Sequence, residues 1–196
     1  MTAQIGDSFK LDDSNYTMVA ISEALNFDPG KYGIVPESIC TACWRGFWCV
    51  YNINDKGIFL DNLYVNSQDD YYPEIEGVKA ITEKEGDGRQ SFLGHHLYKG
   101  LNIKIDYSGK ILVGKDFLPQ YYIHMGFQRA WAFEKLIELV FENGTLVEKN
   151  DQSEVAADIR KQIEKNNVFN KNMRQNTEKF VRNSFSLDYK TKAWWL

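Results

Sequence analysis

The chain has 196 residues, a formal charge of −4, 43% hydrophobic residues and 14% aromatic ones. That length and apolar content suit one domain with an ample core, and the negative balance argues against a nucleic-acid binder. No apolar run approaches the ~20 residues a membrane-spanning helix needs, and the opening Met-Thr-Ala-Gln-Ile-Gly-Asp lacks the basic-then-apolar pattern of a signal peptide.

Three cysteines are few for this length, and the number is odd. With no signal peptide in view, they place the expected location in a reducing cytoplasm. The charge is uneven: −7 over residues 1–150 and +3 over residues 151–196. A cationic C-terminal segment docked on an acidic body accounts for this.

In chain order, residues 8–11 and 16–22 flank the polar turn Asp12-Asp13-Ser14-Asn15 and read as a first hairpin. Residues 26–38 hold Pro29, Gly30, Gly33 and Pro36 and read as a loop. Residues 43–66 form the expected central hairpin, with Gly57 supplying the positive φ of its turn. Trp44, Trp48 and Val50 alternate with Arg45, Phe47, Cys49, Tyr51 and Ile53, so both faces are mostly apolar and need cover. Gly46 sits between two tryptophans, where a bulge or a close backbone approach is expected.

Residues 67–100 are irregular, with a short strand expected at 78–81 and an exposed run around Lys84-Glu-Gly-Asp-Gly-Arg-Gln. Residues 101–107 and 110–113 pair through Ser108-Gly109, residues 121–127 suggest a strand around His124, and residues 135–142 and 145–149 pair through Asn143-Gly144. From Ser153 the period turns helical, with Ser153 as N-cap and Val155, Ile159 and Ile163 on one face. The apolar end, Ala193-Trp-Trp-Leu196, is expected to pack on the body or on another subunit.

The expected fold is α+β: an antiparallel meander of about seven to nine strands, curved or barrel-like, covered by C-terminal helices. Residues 1–150 form the sheet body and residues 151–196 the docked helical segment of a single domain.

No catalytic signature stands out. There is no GxSxG elbow, no HExxH and no phosphate-binding glycine loop. Cys40-Thr-Ala-Cys43 has spacing that suits zinc or thiol redox chemistry, and Cys49 with His95 or His96 would complete four ligands. A second pair with finger-type spacing is missing, so buried free thiols are the plainer reading and no cofactor is expected.

Arg89, His95, His96, His124, Arg129 and Trp131 are the candidate ligand-binding residues. An imidazole suits acid–base work near neutrality, a guanidinium grips anions, and the aromatics stack. The His124-Met-Gly-Phe-Gln-Arg129-Ala-Trp131 run is the best local cluster. Ordinary strand-end packing would give the same residues.

Two functions fit these observations. One is a non-catalytic cytoplasmic protein that grips a protein partner, in the manner of an inhibitor or immunity protein, with acidic loops at residues 69–74 and 83–87 as contacts. The other is a small-molecule-binding domain or enzyme with a His/Arg-lined pocket on the sheet. RNA binding is disfavoured by the acidic body.

Overall fold

The computed structural model of the protein describes residues 2–38, 40–54, 56–82 and 96–165. Its strands are β1 (Ser8–Leu11), β2 (Ser14–Ile21), β3 (Phe47–Asn54), β4 (Gly57–Val65), β5 (Ile81–Thr82), β6 (His96–Ile105), β7 (Gly109–Phe117), β8 (Phe133–Glu142) and β9 (Thr145–Asp151), followed by one described helix, α1 (Ser153–Lys165).

Turn chemistry sets the hairpins. Asp12 (φ 48°) and Asp13 (φ 58°) are both left-handed, as a two-residue type I′ turn between β1 and β2 requires. Asn143 (φ 49°) and Gly144 (φ 75°) do the same between β8 and β9.

The nine strands form one mostly antiparallel sheet in the order β5-β6-β4-β3-β1-β2-β7-β8-β9. The α+β architecture matches the expectation, but the meander is broken at three connections, β2 to β3, β4 to β5 and β6 to β7. The hairpin expected through Ser108-Gly109 does not form, because β6 pairs with β4 and β5 while β7 pairs with β2 and β8. After β2 the chain crosses over, through a 3₁₀ turn at Pro29–Tyr32, and β3 returns parallel to β1, with Phe9 opposite Tyr51. The β1–β2 hairpin is thereby wedged between β3 and β7.

The sheet curls without closing into a barrel. At one corner the β8–β9 turn meets the β3–β4 turn so closely that a side chain on Gly57 would collide with the carbonyl of Gly144. Gly144 N–H also donates to Tyr107 O at 2.8 Å, and Asn143 N–H to Ser108 Oγ at 2.9 Å.

The concave side holds the core. Cys49, Tyr51 and Ile53 of β3 point into it with Phe9, Leu60, Leu63, Tyr98, Ile111, Val113, Leu139 and Phe141. Phe9 and Tyr51 stack at 5.2 Å across the parallel pair. On the convex side of β3, Trp48 and Tyr64 close on each other at 5.0 Å and remain half-buried.

The helix α1 covers the convex side at β7 and β8, where Ala156 is buried with Leu112, Ala130 and Leu136. Val155, expected on the buried face, is exposed, because the packed face runs through Ala156. Arg160 fixes the helix by donating to the carbonyls of Trp131 (3.1 Å) and Phe133 (2.9 Å). Ser153 does not serve its own helix. Its Oγ accepts from Leu136 N–H of β8 at 3.0 Å, while Asp151 Oδ1 accepts from Ser153 N–H at 2.8 Å.

Residues 121–127 are not a strand. A 3₁₀ turn (Pro119–Tyr121) precedes them and Gly126 is left-handed (φ 72°). The Gln128 side chain accepts from Ile123 N–H and donates to Ile123 O, so a side chain meets backbone groups that a neighbouring strand would otherwise satisfy. The strand expected at 78–81 is displaced to Ile81–Thr82, with Ile75 and Val78 bridging each other before it. The helical expectation for residues 166–196 and the run at 83–95 lie outside the described residues.

Candidate functional site

The N-terminal segment is stitched into place from both sides. Gln4 N–H donates to Gly126 O at 2.8 Å, and Ile5 N–H to Ala42 O at 2.9 Å. Gln4 Nε2 donates to Thr41 O at 2.7 Å. Trp48 Nε1 donates to Gly6 O at 2.8 Å, and Met18 N–H to Asp7 O at 2.7 Å. Residues 2–7 thus join the loop before β3 to the connection between β7 and β8.

That loop is two consecutive turns sharing Cys43. Cys43 N–H donates to Cys40 O at 3.3 Å, and Gly46 N–H to Cys43 O at 3.2 Å. Trp44 and Arg45 are the central residues of the second turn, which turns the Trp44 side chain out to 66% exposure. Gly46 ends the turn at φ 77°, with the backbone of Glu37 only 2.8 Å from where a Cβ would be. The close approach expected at Gly46 is therefore present, and it lies before the strand rather than within it.

Below the turn, Asp7 is buried at 1% exposure. Its Oδ1 accepts from the Arg45 guanidinium and from Cys49 N–H at 2.9 Å. Arg45 Nε donates to Phe47 O at 2.9 Å, and its guanidinium lies 4.4 Å from the centre of the Phe47 ring. Burial pushes the Asp7 carboxyl above its ordinary 3.8, with Arg45 and the Cys49 amide pulling against it. Burial likewise pushes the Cys43 thiol up, opposed by Arg45, and the Cys49 thiol well up.

Two hollows flank Trp44. One, about 180 Å³, is lined by Gln4, Ile5, Asp7, Met18, Cys43, Trp44, Arg45 and Phe127. The other, about 450 Å³ and open to solvent, is lined by Ser38, Cys40, Thr41 and Trp44. Phe127 faces the smaller hollow from the other side and is 51% exposed, as is its near neighbour Met125 at 52%. Small-molecule clefts usually run from about 300 to 1,000 Å³. The smaller hollow falls below that range and suits one apolar side chain, with a neutralised charge pair at its floor. Compared with protein-family models, curated proteins and solved structures, the chain matches none.

The six residues expected to bind a ligand are distributed as follows. Arg89 and His95 lie outside the described residues. His96 opens β6 opposite Val65 and stacks on Tyr72 at 3.5 Å. His124 lies on the β7–β8 connection, edge-on to Tyr122 at 5.0 Å. Arg129 caps the 3₁₀ turn Ala130–Ala132, and Trp131 packs half-buried beside Tyr121, Ala132 and Phe133. His96 thus belongs to β6, whereas the other three belong to the connection between β7 and β8.

None of the three cysteines is in a disulfide. Cys43 donates to Phe47 O at 3.2 Å, and Cys49 sits in the core. Among the described residues no group of three or more His, Cys, Asp or Glu side chains is placed to hold a metal ion. No described helix is long and apolar enough to cross a membrane.

Asp7, Trp44 and Arg45 were not among the expected site residues. Gly46 following Trp44-Arg45 was a readable turn signal. Nothing local marks Asp7, whose burial follows from the long-range β1–β3 pairing.

Proposed function

We propose that the protein is a non-catalytic binding protein that grips a protein partner, working in a reducing compartment, and that the notch between Trp44 and Phe127 receives an apolar side chain of that partner. The observation that carries this reading is the pair of half-exposed rings standing over an apolar hollow the size of one residue. Large apolar side chains exposed together at a formed pocket are the usual anatomy of an interface anchor. The Asp7–Arg45 pair supports it: the charges under the notch are already matched, so an incoming apolar group leaves no ion uncompensated. The acidic turn near Asp69 and Asp70 is a second contact in this reading, suited to a basic rim on the partner.

Affinity purification tests it, comparing the wild-type chain, the double variant Trp44→Ala/Phe127→Ala and the remote control Ile81→Ala. A protein captured by wild type and control but lost from the double variant supports the reading. A set of captured proteins unchanged by the double variant overturns it.

A further inference from the structure

The turn beneath Trp44 holds two thiols in unlike settings. Cys40 is partly exposed and lines the open hollow, while Cys43 is buried and lines the notch. They are the first and last residues of one hydrogen-bonded turn, closed by Cys43 N–H to Cys40 O at 3.3 Å. The ends of such a turn lie within about 7 Å, Cα to Cα. A disulfide spans roughly 4.4–6.8 Å between its Cα atoms. A closed turn of this kind therefore brings its end residues into the range of separation that a disulfide spans.

We propose that Cys40 and Cys43 are a reversible redox site that closes to a disulfide across their shared turn. The oxidant is a low-molecular-weight disulfide such as oxidised glutathione. The Cys40 thiolate attacks one sulfur of the oxidant, forming a mixed disulfide and releasing one glutathione thiolate. The Cys43 thiolate then attacks the Cys40 sulfur, forming the protein disulfide and releasing the second glutathione. Two protein thiols lose two electrons and two protons, and one glutathione disulfide is reduced to two thiols.

The roles follow from access. Cys40 is the thiol an outside reagent can reach, and Cys43 is the one positioned to resolve the adduct. Burial holds the Cys43 thiol up while Arg45 favours its thiolate. Cys49 is fully buried in the core and serves as an internal control.

The bridge has a structural consequence. Reduced Cys43 donates to Phe47 O at 3.2 Å, and a bridged sulfur has no proton to donate. The wall of the notch is rebuilt on oxidation. That this alters partner binding rests on the function proposed above; formation of the disulfide does not.

The test uses the reduced full-length chain with oxidised glutathione and no partner. Remaining thiols are blocked under denaturing conditions, and the products are read by intact mass and peptide mapping. The expected product has lost two hydrogens, carries a Cys40–Cys43 link and retains a blockable Cys49. Cys43→Ser is expected to stop at a glutathione adduct on Cys40. A wild-type chain that also stops at that adduct, or whose Cys40 does not react, overturns the proposal.

Discussion

Arg45, from the turn before β3, reaches the carboxylate of Asp7, from the residue before β1, and the same carboxylate oxygen accepts from the Cys49 amide inside the sheet. One buried oxygen therefore ties the N-terminal segment, the Trp44 turn and β3 together. The pair is lopsided, with Asp7 at 1% and the Arg45 side chain at 42% exposure. Removing the guanidinium strands a buried acid, whereas removing the acid leaves a cation that water can reach. Breaking a fully buried pair costs about 3–5 kcal/mol. Half-exposure of Arg45 lowers the expectation for Arg45→Ala to roughly 2 kcal/mol. Urea denaturation with an unchanged m-value checks it, and a loss under about 0.5 kcal/mol, the range of an ordinary surface substitution, refutes it.

The same carboxyl gives a pH signature. Its folded pKa is raised above 3.8, so the native state binds its proton more tightly than the unfolded chain does. Its contribution to stability is fully present below 3.8 and is lost as the pH rises through the folded value. Asp7→Asn has no such titration. The stability of wild type minus that of Asp7→Asn is therefore expected to fall as the pH is raised from 3.8 through the folded pKa and then level off. Denaturation of both proteins across that range decides it; a difference that grows with pH would show a lowered pKa instead.

Gly46 is where the backbone has least freedom to accept a side chain. Its φ of 77° is left-handed, and a Cβ would lie 2.8 Å from the nitrogen and carbonyl carbon of Glu37. Left-handed geometry alone costs roughly 1–2 kcal/mol for an L-residue, and neither clashing group is a side chain that can swing away. Gly46→Ala is expected to cost about 2 kcal/mol or more. Gly77, also left-handed (φ 79°) but with nothing within 4 Å of a Cβ, is the matched control and should lose less on the same substitution. Equal losses at the two sites would mean that the contact with Glu37 carries no energy.

The sequence made three hairpins legible because turns are local, and it misled at Ser108-Gly109, where the two flanking strands part to pair with β4 and with β2. Asp12-Asp13, Gly57 and Asn143-Gly144 each meet a backbone requirement within two residues, and all three turns are present. Alternation grouped Cys49, Tyr51 and Ile53 on one face of β3, and that face is the one turned into the core. The parallel β1–β3 pairing was not legible, since no local pattern fixes which strands become neighbours after a crossover. Asp7 inherits that blindness: next to Ser8 it reads as an exposed residue, and only the β3 backbone buries it. At residues 121–127 apolar residues suggested a strand, but Pro119 and Gly126 divert the chain and Gln128 takes the hydrogen bonds. Trp44 and Arg45 were read by strand alternation when the Gly46 turn had already set them apart. The best local cluster, around residues 124–131, did contribute Phe127 to the notch.

Trp44 separates folding from function. It stands 66% exposed at the centre of a turn whose backbone bonds do not involve its ring. Substitutions at such positions usually change stability by within about 0.5 kcal/mol, so Trp44→Ala should melt with wild type. An aromatic anchor at the centre of an interface is commonly worth about 2 kcal/mol or more of binding, which corresponds to roughly 30-fold in affinity. Thermal unfolding and titration against the captured partner are measured on the same preparation. Unchanged melting with affinity weakened at least tenfold is the expected result. Lowered melting would make Trp44 a structural residue, and unchanged affinity would remove it from the interface.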